Sequence, residues 1–235
     1  MKFYFKAIIY IFILHFSIST GTAAPDLSLI RSVVKVVVLS ETGKQSLGSG
    51  VIIDNNIVAT NCHVTRAAKS AFLVKEDSHY NVIAQAALPE LDVCLLKTQA
   101  IAQPTVTLAD IANLHLGDKI TMLGYPFALG IRMRMGAIIG LHDYHSAKII
   151  EIDTGFMQGA SGGGVFNKKN ELVGLMTFMG KDQSKIHYYV IPASWLALGL
   201  KEQFKPLQAF SKRSFWEKGR FEHLRNPKVP LGFIK

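Results

Sequence analysis

The apolar positions of this chain fall in many short runs broken by turn residues. Ile30 to Leu39 is rich in valine, and Gly48-Ser49-Gly50 leads into Val51-Ile52-Ile53. Asp54-Asn55-Asn56 reads as a turn and Ile57-Val58-Ala59-Thr60 as the strand that pairs back. Further short strands are expected at 72–74, 82–84 and 93–96, and at 120–123, which Gly124-Tyr125-Pro126-Phe127 breaks. The second half repeats the pattern at 136–140, 148–152, 164–166, 172–178 and 188–191. Many short strands with frequent turn signals predict an all-β barrel or sandwich architecture. Ser194 to Phe204 is the clearest helical candidate, with Ser194 as its N-cap after Pro192. The division between two β-barrels is expected in the Pro104–Gly117 connection. That gives one barrel over 24–110 and a second, with the helix, over 111–205. Residues 206–235 show no clear period.

The chain has 235 residues, of which 49% are hydrophobic. That is enough for a substantial core and argues against wholesale disorder. No internal repeat points to a solenoid or propeller. Residues 1–23 read as a secretory signal. Lys2 and Lys6 form a basic start, Ala7 to Ile18 is an apolar run interrupted by His15 and Ser17, and Gly21-Thr22-Ala23-Ala24 offers small residues for cleavage. A cut after Ala23 is favoured, since one after Ala24 would leave Pro25 at the new N-terminus. The run is shorter than the ~20 apolar residues of a spanning helix, which favours removal over retention as an anchor. The expected location is therefore outside the cytoplasm, periplasmic or secreted.

The net charge of +9 becomes +7 without the two signal lysines, and residues 201–235 carry nine Lys/Arg against three Glu, a net +6. The positive charge thus belongs mainly to a tail, which would either be solvated or attract an anionic surface or an acidic protein partner. Nucleic acid is a poor candidate for an exported chain.

Three short stretches carry the chemistry: Thr60-Asn61-Cys62-His63, Leu91-Asp92-Val93-Cys94-Leu95-Leu96 and Gly159-Ala160-Ser161-Gly162-Gly163-Gly164. Serine is a poor nucleophile at neutral pH and needs an imidazole to take its proton. The imidazole in turn needs a carboxylate to orient it. Asp92 lies in an apolar run, where a carboxylate is costly to bury without a partner, and a histidine N–H is a natural one. Gly159 lets the backbone adopt conformations that other residues resist, so that the amides of Gly159 and Ser161 can point together at a developing oxyanion. Each motif alone is ordinary loop punctuation or a structural polar residue; all three together meet the nucleophile–base–orienter criterion. Cys62 and Cys94 flank His63 and Asp92. If those two meet in space, the cysteines either bond, as an oxidising compartment permits, or remain two buried thiols.

The chain resembles chymotrypsin-fold serine proteases, in their bacterial Deg (high-temperature-requirement) and glutamyl-endopeptidase branches. The order His63, Asp92, Ser161 is that of this fold, and the motifs at 48–53, 60–64 and 91–93 match its histidine and aspartate regions. Gly124-Tyr125-Pro126-Phe127, Asp153 and Tyr189-Val190-Ile191-Pro192 match the Deg type in particular. The resemblance covers about residues 30–200. It implies two six-stranded β-barrels with the active site between them, and an endopeptidase acting on polypeptides without a cofactor. Three departures stand out. Gly164 replaces a usual proline. Ala160 replaces the aspartate with which digestive zymogens pair a freed N-terminus. About 35 residues follow Leu200, too few for the PDZ domain usual in Deg-type enzymes, so regulation through one is not expected.

By the same resemblance, the substrate side-chain pocket should be lined by Gly155, Phe156, Met157 and Gln158, and by Met176, Thr177, Phe178 and Met179. No acidic group stands among them, so a small or medium apolar residue before the scissile bond is expected. His187 reaching the pocket would instead favour Glu. Thr177 to Met179 would take substrate backbone as an added strand. His142, Asp143 and His145 lack the third or fourth convergent ligand of a zinc site, and no metal is expected. The rival reading is a non-catalytic, protease-like binding protein.

Overall fold

The computed structural model describes residues 27–182, 184–219 and 232–234. The expected signal at 1–23, with Phe221 and His223 of the tail, lies outside the described residues. A 3-10 turn, Leu27–Ser32, precedes the first strand, so the valine-rich run starts as a turn rather than as strand. Strands β1 (Val33–Leu39), β2 (Gln45–Asp54), β3 (Ile57–Thr60), β4 (Ser70–Lys75), β5 (Ser78–Leu88) and β6 (Val93–Thr98) form one antiparallel barrel. Strands β7 (Lys119–Gly124), β8 (Arg132–Tyr144), β9 (Ala147–Ile152), β10 (Gly164–Phe166), β11 (Leu172–Lys181) and β12 (Ile186–Pro192) form a second. Each barrel closes in the same cyclic order: first, second, third, sixth, fifth, fourth. Closure leaves no barrel strand with a full unpaired edge.

The β1 run is continuously apolar because both of its faces are covered. Val34, Val36 and Val38 point into the first barrel with Ile52, Val58, Leu73 and Leu96. Val33 faces the other way, into a cluster shared with Leu123, Tyr125, Phe166 and Tyr189 of the second barrel. The period-2 alternation of a strand is therefore hidden by burial on two sides. A separate cluster around Ile138, Ile150, Val165 and Val190 fills the second barrel. Between the barrels the connection is pinned to both: Val106 N donates to the Ile52 carbonyl at 3.1 Å, and Ala109 N and Leu172 N bond across to Leu172 and Thr107.

Helix α1 (Cys62–Thr65) is one turn after β3. Helix α2 (Ala193–Gly199) follows β12, and it differs from the sequence expectation at both ends. Pro192 is the N-cap in extended conformation, and Ser194 sits inside the first turn with its hydroxyl buried and unbonded. Proline serves the entry because its missing N–H would be unsatisfied there anyway. After Gly199 the chain tightens, with Lys201 N on Leu198 and Glu202 N on Gly199, three residues back.

The tail without periodicity is nonetheless attached. Strand β13 (Lys205–Pro206) adds to β5, and β14 (Gly232–Ile234) adds to β11 opposite Met179, Gly180 and Lys181. Phe210 N donates to the Arg66 carbonyl at 2.9 Å. Phe215 has no exposed surface and packs between Tyr144 and Trp195, with ring centroids at 4.4 and 5.8 Å. Isolated anchors of this kind carry no period, which is why pattern reading leaves the segment blank. Phe215→Ala is expected to destabilise the protein by about 3–5 kcal/mol, read as a lower denaturant midpoint at unchanged slope.

Candidate active site

His63 is carried by α1 rather than by the end of a strand. Asp92 stands between a 3-10 turn, Pro89–Leu91, and β6, in the left-handed conformation (φ 59°). Aspartate tolerates that region better than most residues. The turn tips its side chain back onto α1. Asp92 Oδ1 accepts from the His63 amide at 2.8 Å, and Oδ2 lies 2.7 Å from His63 Nδ1. The carboxylate thus satisfies an orphan amide of the first helical turn and the imidazole together. Asp92 is fully buried. Its Oδ2 also accepts from Trp216 Nε1 at 2.9 Å.

Asn61 ties the two segments to the second barrel. Its amide nitrogen donates to the Asp92 carbonyl at 3.1 Å and to Thr177 Oγ1 at 3.0 Å. Cys62 N donates to the same Asp92 carbonyl at 3.2 Å. Cys62 and Cys94 form a disulfide with Cα atoms 4.8 Å apart. It bridges β6 to α1 next to both His63 and Asp92.

Ser161 lies on the loop between β9 and β10. Asp153 starts that loop: its Oδ1 accepts from the Ala137 amide and Thr154 Oγ1, each at 2.8 Å. The Ala137 amide is the main cause that holds the Asp153 carboxyl below its usual range. Five successive carbonyls of the loop are then engaged. Met157 accepts from Ala160 N, Gln158 from Phe127 N, Ala160 from Gly163 N and Ser161 from Ser49 N, at 2.8–3.0 Å. Gly159 accepts from Ser49 Oγ at 2.9 Å. Gly159 and Gly162 have φ of 90° and 83°, where side chains are rarely tolerated. Among the described residues, the amides of Gly159 and Ser161 donate to no backbone carbonyl. The carbonyls of this loop are thus committed, as buried backbone acceptors generally are. Ser161 Oγ donates to the Thr177 carbonyl at 3.5 Å, a long and weak contact.

Ser49 has a role that the sequence reading did not assign. Buried completely, it gives Oγ to Gly159 while accepting from Tyr125 N at 2.8 Å, and its carbonyl accepts from Thr60 Oγ1 at 2.7 Å. A serine between two glycines in an apolar strand was the available signal. Asn61 and Thr60 gave the same signal, as polar groups at the end of an apolar strand.

His63 and Ser161 line one cleft of about 250 Å³. Phe156, Met157, Gln158, Thr177, Phe178 and Met179 line it too, whereas Gly155 and Met176 do not. Those two line a neighbouring apolar cavity with Met122 and Phe127. Thr177 is the bulged residue of β11, with no partner on β12 between Met176 and Phe178. On the other side, β10 and β14 pair with β11 at 172–175 and 179–181, leaving a gap at Thr177 and Phe178. Trp216, Glu217 and Arg66 form the cleft wall beside His63. Burial pushes the Glu217 carboxyl up, but the Arg66 guanidinium, the Ser214 amide and nearby His63 outweigh it and hold it below its usual range.

His187 sits elsewhere. It is buried with Nδ1 2.6 Å from Glu151 Oε1 and Nε2 2.7 Å from Asp182 Oδ2, and it is not among the residues lining the cleft. His142 Nε2 is 2.8 Å from the other Glu151 oxygen, Asp143 pairs with Lys148, and the His145 ring meets Tyr144 edge-on. Among the described residues, no three His, Cys, Asp or Glu side chains converge as metal ligands would.

Residues 48–175 match the family of trypsin-like peptidase domains, and the chain belongs to that family. Curated relatives include a probable periplasmic serine endoprotease DegP-like of Pseudomonas putida, 34% identical over 56% of this chain and 29% of the relative. A namesake from Ectopseudomonas mendocina is 32% identical over 68% of this chain and 35% of its own length. Serine endoprotease DegS of Salmonella typhimurium is 29% identical over 57% of this chain and 40% of its own. The chain thus spans about a third of the length of these relatives. Two solved structures share the fold. The M. tuberculosis protease Rv3671c in its active form has a TM-score of 0.68 at 20% identity, over 88% of this chain and 99% of that one. The HtrA-type protease AlgW with a tripeptide has a TM-score of 0.63 at 24% identity, over 73% and 59%.

The disulfide closes a loop with a sequence separation of 32. Cys62→Ala/Cys94→Ala is expected to lose about 3–4 kcal/mol of stability. Thiol titration of denatured, unreduced wild type should find no free thiol.

Proposed function

We infer that the chain is an exported serine endopeptidase in which His63, Asp92 and Ser161 form the catalytic triad. The observation that carries this reading is the 2.7 Å contact of His63 Nδ1 with buried Asp92, in a cleft shared with Ser161 and two uncommitted amides. Asp92 fixes the tautomer that carries the proton on Nδ1 and leaves Nε2 as the base. Ser161 Oγ exchanges its weak Thr177 contact for Nε2, and active-site hydrogen bonds commonly tighten only with substrate bound. The hydroxyl then attacks the peptide carbonyl as Nε2 takes its proton. The amides of Gly159 and Ser161 stabilise the oxyanion, at about 3 kcal/mol per donor. The imidazolium returns its proton to the leaving amine, and the acyl-enzyme is hydrolysed by water activated in the same way.

Substrate backbone is read here as adding to β11 at Thr177 and Phe178, where the edge is open, and meeting β14 at Met179. The half-exposed Met157 with Phe156 and Met179 makes an adaptable apolar wall. This supports cleavage after small or medium apolar residues. With both ring nitrogens committed to carboxylates, His187 gives no support to a preference for Glu. The relatives' names say periplasmic for those proteins, which supports export here together with the basic and apolar start of the chain.

Incubation with a fluorogenic peptide library should give cleavage after apolar residues. Ser161→Ala should reduce the rate by about five to six orders of magnitude without changing the unfolding midpoint. Cleavage unaffected by Ser161→Ala, or mainly after Glu, contradicts the corresponding part of this reading.

A further inference from the structure

The segment Ser214–Lys218 lies well past the end of the family match at residue 175, yet it reaches the buried carboxylate of the site. Trp216 is nearly buried and donates from Nε1 to Asp92 Oδ2 at 2.9 Å, the same oxygen that faces His63 Nδ1. Its ring meets the imidazole edge-on with centroids 5.5 Å apart. It also stacks on Phe178 at 5.2 Å and 7°, and Phe178 stacks on Tyr189 at 4.8 Å. The indole therefore touches both the aromatic residues of the second barrel and the His63–Asp92 pair.

Its neighbours fix its position through the segments that carry that pair. Phe215 N donates to the Glu90 carbonyl at 3.0 Å, two residues before Asp92, and Lys218 Nζ reaches the Glu90 carboxylate at 2.7 Å. Glu217 takes a two-pronged contact from Arg66, three residues after His63, and accepts from the Ser214 amide at 3.0 Å. A bidentate pair of this kind adds geometric definition as well as attraction. The tail thus grips the loop before Asp92 and the turn after His63, and sets the indole N–H between them.

We propose that Trp216 is a positioning residue for catalysis, and that the tail segment around it is a working part of the active site. The proposal rests on the endopeptidase reading for its effect on rate and on geometry alone for its effect on His63. With two N–H donors on Oδ2 and one on Oδ1, the carboxylate has a single orientation available. The indole, perpendicular to the imidazole with centroids 5.5 Å apart, fills space beside His63 and so limits its rotation. The indole bonds to a carboxylate with no exposed surface, and the exclusion of water strengthens its hold on Nδ1–H.

The test replaces the N–H while keeping the shape: Trp216→benzothienylalanine, in which sulfur stands for the N–H, alongside Trp216→Phe. Both are made in the full chain. Two readouts are taken: the saturating rate of Ser161 modification by a fluorophosphonate probe, and the far-downfield Nδ1–H proton resonance of His63. The expected result is a 10- to 100-fold lower saturating rate in both variants, with probe affinity little changed. The His63 resonance should shift and broaden through faster exchange. If Trp216→Phe fails to fold, the shape-preserving variant decides. A rate within twofold of wild type and an unmoved resonance in a folded variant overturn the proposal. If the wild type itself takes no label, the endopeptidase reading fails instead. The resonance alone then decides the positioning role, a loss on substitution supporting it and an unchanged signal refuting it.

Discussion

A carboxylate with no exposed surface stands at the seam of two barrels, and three N–H groups hold it there. Burying such a charge without partners is prohibitive, so its surroundings must be built to satisfy it. Much of the local structure follows from that requirement. Helix α1 begins where its amide can meet Oδ1, and Asp92 accepts a left-handed backbone that turns its side chain inward. The cost of that conformation, about 1–3 kcal/mol, is sustained only because neighbouring contacts over-determine it. Asn61, the disulfide and the tail indole are those contacts.

The second half of the site is organised by carbonyls rather than by charge. Five successive carbonyls of the Ser161 loop find partners, since buried backbone groups seldom go unpaired. Ser49 does part of this from the other barrel, taking hold of the loop at Gly159 and Ser161. One buried hydroxyl therefore couples the barrel that carries His63 and Asp92 to the loop that carries Ser161. The two barrels share one strand order, and the bonds of Ser49 cross from the first to Gly159, Ser161 and Tyr125 of the second.

The sequence exposed the parts of this arrangement that need particular residue types. His63, Asp92 and Ser161 stand out because a carboxylate in an apolar run and a serine in a glycine cluster each break the local pattern. Most strand positions were legible from turn residues such as Asp54-Asn55-Asn56. Three kinds of feature were not. Strand lengths were understated, as in β5 (Ser78–Leu88), because exposed polar positions of a paired strand look like loop. The entry to α2 is hidden because Pro192 occupies the N-cap position and Ser194 lies within the helix. Trp216 and Ser49 act through single long-range contacts, and nothing local in the sequence says which distant atom they meet. Gly155 and Met176 illustrate the same limit: chain neighbours of cleft residues can face another cavity.

The most direct test of the account concerns the Asp92 carboxylate itself. Asp92→Asn keeps the size and most of the shape of the side chain but removes the charge that holds Nδ1–H. The measurement is the rate at which Ser161 is acylated in the folded variant relative to wild type. The account predicts a fall of about four orders of magnitude. An acylation rate equal to that of wild type would contradict it.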